Sequence, residues 1–233
     1  MRQSKVRLVA VSSFTAGAIS RIRPATTLPP GLSGEWFQVL ADGLAASKTQ
    51  HVGVQIVTAF RLAVWREKGL VELLQAVTAL GRSDVFLTVC GTGRPPADLQ
   101  EAVRRHRYCT LRSGLTDHEL AAQLAAADLF VLATRTRTGR QASGEGFGLV
   151  LLEAQVAGTA VVGPAFGGSP DAYVYGVTGL TPVNETSAAL ARVLGEMIRD
   201  PKNLQLMGKR ASEWAGETFA PERYARRVVA TLL

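Results

Sequence analysis

Apolar positions along the chain change their spacing at regular intervals. The runs VGVQIVT (52–58), VFLTVCG (85–91) and DLFVLAT (128–134) are almost continuously hydrophobic, as expected of strands buried on both faces. Between them, Leu70, Leu73, Leu74 and Val77 fall at i, i+3, i+4 and i+7, one stripe of an amphipathic helix. A short run near Tyr108 to Leu111 reads as another strand, and Thr116 with Glu119 three residues later opens a helix as a capping box. GEGFGLVLLEA reads as a helix entered through glycines, TAVVGP as a strand and AFGGSPD as a turn-rich loop. Towards the end, Leu190, Val193, Leu194, Met197 and Ile198 form one more helical stripe. Pro201 restarts a helix after Asp200, and a last helix runs from about Pro221. The alternation from residue 52 onward predicts an α/β fold, a Rossmann-like parallel sheet with helices on both faces.

The first fifty residues break this rhythm. VRLVAVSSFTAGAI reads as one strand and one helix, and TLPPGLSGEWF as a turn-rich connector. Three parts are therefore expected: residues 1–50 as the end of a preceding domain plus a hinge, 51–216 as the α/β domain, and 217–233 as a terminal helix.

A chain of 233 residues, 47% of them apolar, can fill one sizeable core, which excludes wholesale disorder. Its net charge of +7 suits an anionic partner without choosing among phosphate ligand, nucleic acid and acidic membrane. Cys90 and Cys109 lie in apolar runs and are expected as reduced thiols, which fits the cytoplasm. Arg2, Lys5 and Arg7 precede an apolar run too short for a secretion signal, and no stretch is apolar enough to span a bilayer, so membrane contact is expected to be at most peripheral. His51, His106 and His118 lack metal-ligand spacing and there is no D-x-D pair, so no metal is expected.

The candidate chemistry centres on Gly144-Glu145-Gly146-Phe147-Gly148-Leu149-Val150-Leu151-Leu152-Glu153. If the whole stretch is helical, the two carboxylates stand ~12 Å apart along the axis, far enough to grip two ends of one ligand and wider than the usual glycosidase pair. The backbone N–H groups of Phe147, Gly148 and Leu149 would then point out of the helix start, where a diphosphate is favoured, and Gly146 and Gly148 would let it approach closely. Alternatively, Glu145 merely favours the helix dipole and Glu153 is a solvated surface charge. Arg61 and Lys68 follow the first strand of the domain, at the carboxyl edge where open α/β sheets bind ligands. Gly91-Thr92-Gly93 makes a weak dinucleotide fingerprint, since Pro96 takes the place of the last glycine.

These blocks, in this order, resemble the donor-binding domain of retaining glycosyltransferases of the GT-B fold, most closely glycosyltransferase family 4. Glu145 and Glu153 match that family's E-x7-E signature, FRLAVWREKGLVELLQAV its Arg-then-Lys-Gly block, GTG its glycine loop and LPPGLSGEWF its interdomain hinge. Gly167-Gly168-Ser169-Pro170-Asp171 matches its GG-x-P-acid loop, while Ala133-Thr134 replaces its common Pro-Ser. The resemblance implies a nucleoside-diphosphate sugar, of UDP or GDP, as donor. It implies catalytic roles for Arg61, Lys68 and Glu145 and donor contacts from Gly91, Gly93, Gly146, Phe147, Gly148, Leu149 and Glu153, with Glu145 on the sugar and Glu153 on the ribose. Arg135, Arg137 and Arg140 are read equally well as phosphate contacts or as a solvated loop.

Such enzymes carry an N-terminal domain with the acceptor site, whereas this chain begins near what resembles that domain's last strand. Its first segment and final helix should therefore expose apolar surface, inviting self-association or a partner chain. Two alternatives to a transferase remain open: a non-catalytic nucleotide-sugar-binding module, and an unrelated oxidoreductase or nucleic-acid binder. The last has little beyond GTG and the charge to support it, and no nucleic-acid partner is expected.

Overall fold

A computed structural model describes residues 7–20, 22–46 and 52–232; Arg2, Lys5, His51 and the expected 50/51 boundary lie outside them. Strand β1 (Leu8–Ala10), helix α1 (Ser13–Ile19) and strand β2 (Ala25–Thr27) form a small β-α-β unit whose strands pair in parallel. Helix α2 (Gly34–Ala46) follows. The main sheet then alternates with helices: β3 (Val54–Arg61), α3 (Leu70–Ala79), β4 (Val85–Thr92), α4 (Ala97–Arg104), β5 (Cys109–Ser113), α5 (Asp117–Ala125), β6 (Leu129–Val131), α6 (Leu149–Val156), β7 (Ala160–Val162) and β8 (Gly179–Leu180). Helices α7 (Ser187–Met197), α8 (Pro201–Phe219) and α9 (Pro221–Leu232) close the chain.

All six main strands run parallel in the order β5-β4-β3-β6-β7-β8, so the fold is the expected Rossmann-like α/β sandwich. Because side chains alternate along a strand, each strand feeds two cores. Ile56, Leu129 and Val131 face α3, α4 and α7, while Val57, Phe130 and Leu132 face α2, α5 and α6. Helix α8 touches both, Leu204 and Met207 joining the first core and Ala215 and Phe219 the second. The Thr116–Glu119 capping box forms as expected, and Asp200 caps α8 through the Lys202 and Asn203 amides.

Three local expectations need correction. The connector is extended only to about residue 33. From Gly34 it is helical because Trp36, Phe37, Val39 and Leu40 make a face that packs on the second core, with Ser33 Oγ accepting from the Trp36 amide at 3.2 Å. Strands β2 and β8, of three and two residues, were too short to stand out in the pattern. Third, α6 does not begin in the glycine run. It starts at Leu149, after Gly148 adopts φ +87°, a left-handed conformation that other residues rarely accept. The ~12 Å axial separation of Glu145 and Glu153 therefore does not apply, since residues 145–148 are loop.

The terminal pieces expose apolar side chains, as anticipated. Among the described residues neither α1 nor α9 buries a side chain, and Val9, Val11, Phe14, Ile22, Val229 and Leu232 are exposed. No helix among the described residues is long and apolar enough to cross a membrane.

Candidate functional site

The strand order reverses between β3 and β6, and the candidate residues gather at the carboxyl ends of those two strands. A ligand crevice is expected at this switch point because the connections leaving the two strands diverge to opposite faces. After β3 the chain makes a 3-10 turn over Leu62–Val64 and reaches Lys68-Gly69. Gly69 lies against the chain leaving β6: a Cβ there would collide with the Ala133 carbonyl oxygen. That close approach sets Lys68 beside Thr134, and the entry loop to α6 brings Glu145 to the same point.

Lys68 Nζ donates to Glu145 Oε2 at 2.9 Å and lies 3.4 Å from Thr134 Oγ1, which itself donates to Glu145 Oε2 at 3.1 Å. Lys68 and Glu145 are half-buried, so this ion pair is less screened than one in open solvent. Glu145 is thus neither a helix-dipole residue nor a solvated charge. Thr134 is a site residue that the sequence reading passed over. The signal was the hydroxyl it shares with the serine of the common Pro-Ser pair.

The entry loop is braced by the second glycine loop. The Gly168 amide donates to Glu145 O at 2.8 Å, and Gly168 packs so closely on Gly146 that a Cβ would meet the Gly146 carbonyl oxygen. Asp171 of this loop accepts hydrogen bonds from the Ser13 amide and, at 2.9 Å, from Ser13 Oγ. The start of α1 is thereby tied to the same corner. Phe147 turns its ring into the second core against Phe219, so only its backbone can face a ligand. At the mouth of α6 the Leu151 amide bonds Gly148 O at 2.8 Å. The Leu149 and Val150 amides have no backbone acceptor among the described residues, which moves the free donors toward the helix from the expected Phe147–Leu149 set.

Arg61 ends β3, exposed and without an ion pair among the described residues. Gly91 lies within β4 in register with Phe60 and Ser113, and Gly93 follows the strand with open space beside it. Glu153, five residues into α6, is half-buried rather than a solvated surface charge. Burial pushes its carboxyl above the usual carboxylate range; a hydrogen bond from the Trp36 side chain pulls it back, and the negative charge of Asp117 raises it further. Trp36 was not singled out in the sequence, where it stood in an assumed connector.

The basic loop divides. Arg135 pairs with Glu72 and lies 4.0 Å from Glu185, whose other oxygen accepts from the Thr136 amide at 2.6 Å. Arg137 pairs with Glu67 at 3.3 Å, while Arg140 is exposed. Arg66 pairs with Asp98 and stacks 4.0 Å over the Trp65 ring. Buried Cys90 and half-buried Cys109 are free thiols that desolvation pushes up to about 11 and about 12, so neither is a ready nucleophile. Among the described residues no cluster of His, Cys, Asp and Glu could hold a metal ion.

The model of the family described as glycosyl transferases group 1 matches residues 50–214. The chain belongs to this family. It is 31% identical over 196 residues to a GDP-mannose-dependent alpha-(1-6)-phosphatidylinositol monomannoside mannosyltransferase of Mycolicibacterium smegmatis, covering 81% of this chain and 50% of that protein. Among solved structures, sucrose-phosphate synthase from Thermosynechococcus elongatus superposes with a TM-score of 0.77 at 22% identity, over 95% of this chain and 56% of the other. Anabaena HepE, solved in complex with UDP and glucose, gives 0.73 at 19% identity, over 97% and 62%. At these identities the structural likeness shows the shared GT-B-like fold alone. The chain spans about half the length of the curated relatives it matches.

Proposed function

We propose that this chain is the donor-binding part of a retaining glycosyltransferase, of the family 4 type, that moves a sugar from a nucleoside-diphosphate sugar to an acceptor hydroxyl. The observation that carries this reading is the Lys68–Thr134–Glu145 group beside the free amides of α6, at the switch point of the sheet. An ammonium has three donors. Glu145 and Thr134 engage two, leaving one for a phosphate oxygen. Lys68, exposed Arg61 and the Leu149 and Val150 amides together provide the positive, pre-oriented surroundings that a departing diphosphate requires. Glu145, braced by Gly168, accepts from hydroxyls of the sugar, and Glu153 from those of the ribose.

In the reaction, the bond from the anomeric carbon to the diphosphate oxygen breaks, and the acceptor oxygen bonds that carbon from the same face. The acceptor's proton passes to the departing diphosphate oxygen, so no protein nucleophile is required. The cations named replace a metal ion in neutralising the leaving group, and chelators should leave donor binding unchanged. The names of the mannosyltransferase and of HepE make GDP and UDP the nucleotides to try first. We place the reaction in the cytoplasm, with peripheral membrane contact at most.

A thermal-shift panel of UDP, GDP, ADP and their sugars tests the reading. A nucleotide at a hundred times its Kd should stabilise the chain by about 2.7 kcal/mol, and no shift with any of them would overturn the assignment. Binding without transfer under any pairing would reduce the protein to a binding module. A product of inverted anomeric configuration would remove the retaining mechanism.

A further inference from the structure

We infer that Trp36 is a positioning residue for the nucleoside, its indole N–H aiming the Glu153 carboxylate at the ribose hydroxyls. This rests on the donor site proposed above and adds to it a residue from outside the sheet-and-helix motif that carries the resemblance.

Helix α2 is well anchored for such a task. Leu40 is fully buried in the second core, and Gly43 sits so close to α5 that a Cβ would come within 3.3 Å of the Ala121 backbone. At the start of the helix, Ser33 accepts the amides of Trp36 and Phe37 at 3.2 and 2.9 Å, so the Trp36 backbone is held from the first turn. Its ring packs on the same core as Leu151 and Leu152 of α6, which flank Glu153 in sequence.

Glu153 is half-buried and ion-pairs with no cation among the described residues. Facing it are the neutral indole of Trp36 from α2 and the like charge of Asp117 from the first turn of α5. Asp42 and His118 line the groove between α2 and α5. A half-buried carboxylate with a like charge and no countercharge is costly for stability, the kind of arrangement that active sites retain. A carboxylate has about four acceptor positions. The indole takes one and restricts the rotamer, and two ribose hydroxyls can use the others. Protonation removes acceptor capacity, so ribose binding should weaken as the pH falls through the Glu153 transition.

Two measurements on the chain test this. First, tryptophan emission is followed against pH: the component lost in Trp36→Phe should titrate, should stop titrating in Glu153→Gln, and should titrate at lower pH in Asp117→Asn. Second, affinity is compared between the preferred nucleoside diphosphate and its 2′,3′-dideoxy analogue. Trp36→Phe, which keeps the apolar packing and loses the donor, should weaken the natural nucleotide about 5- to 10-fold and leave the analogue unchanged. It should also move the acid loss of binding to higher pH, opposite to Asp117→Asn. Emission that does not respond to Glu153, or a Trp36→Phe variant with intact preference for the ribose hydroxyls, would overturn the role of Trp36 alone. A wild-type chain that binds no nucleoside diphosphate would overturn the donor site itself.

Discussion

The entry loop of α6 and the helix behind it each present one glutamate, under opposite surroundings. Glu145 has a cation and a hydroxyl, brought from the ends of two different strands. Glu153 has an indole, a carboxylate neighbour and partial burial. The first is held by charge, so its geometry depends on Lys68. The second is held by a neutral donor, so its protonation can respond to its neighbours. Two identical residues eight positions apart are therefore suited to different tasks, one beside the departing diphosphate and sugar, the other on the nucleoside.

The comparison would break most visibly at the cation. Lys68→Ala should weaken nucleoside-diphosphate binding by about 100-fold, measured by calorimetry, because it removes a charge-assisted contact and leaves Glu145 half-buried without its counterion. Adding Glu145→Gln should recover stability to urea but not affinity. If affinity also returned, Lys68 would matter only as the partner of Glu145.

At the other glutamate, Glu153→Gln should weaken the same nucleotide by about 10-fold while stabilising the fold near neutral pH. The sign follows from linkage. A carboxyl whose folded pKa lies above its unfolded value binds more protons when folded, so stability falls as the pH rises between the two values. Above both values the ionised group costs stability in full, and the glutamine removes that cost. Scanning calorimetry at pH 4 and pH 8 should show the gain only at the higher pH. A gain of equal size at both would detach the effect from ionisation.

The basic loop gives the smaller contrasts. Arg135→Ala should cost about 1 kcal/mol in urea unfolding, since Glu72 and Glu185 lose their shared cation, one whose own side chain is partly exposed. Arg140→Ala should stay within about 0.5 kcal/mol, as expected for an exposed residue. An affinity loss at Arg140 larger than that at Lys68 would move the phosphate site into the loop.

Much of this molecule was legible from spacing alone. Buried parallel strands are continuous apolar runs, and helices that cover them carry stripes at i, i+3, i+4 and i+7, so β3, β4, α3 and α7 follow from local pattern. The capping box at Thr116 and the cap at Asp200 are equally local. Lys68, Glu145 and Glu153 could be picked out in sequence, though not their surroundings.

Those surroundings depend on chain segments far apart. Lys68 meets Glu145 only because β3 and β6 are neighbours in the sheet, a pairing between segments some seventy residues apart that no window of sequence contains. Where α6 begins was set by the packing of Phe147 into the core and the left-handed Gly148, against a glycine run that local pattern reads as helix. Helix propensity is worth tenths of a kcal/mol per residue, whereas burying an aromatic ring is worth a few, so tertiary burial decided the boundary. The same balance turned a presumed connector into α2 and set Trp36 beside Glu153.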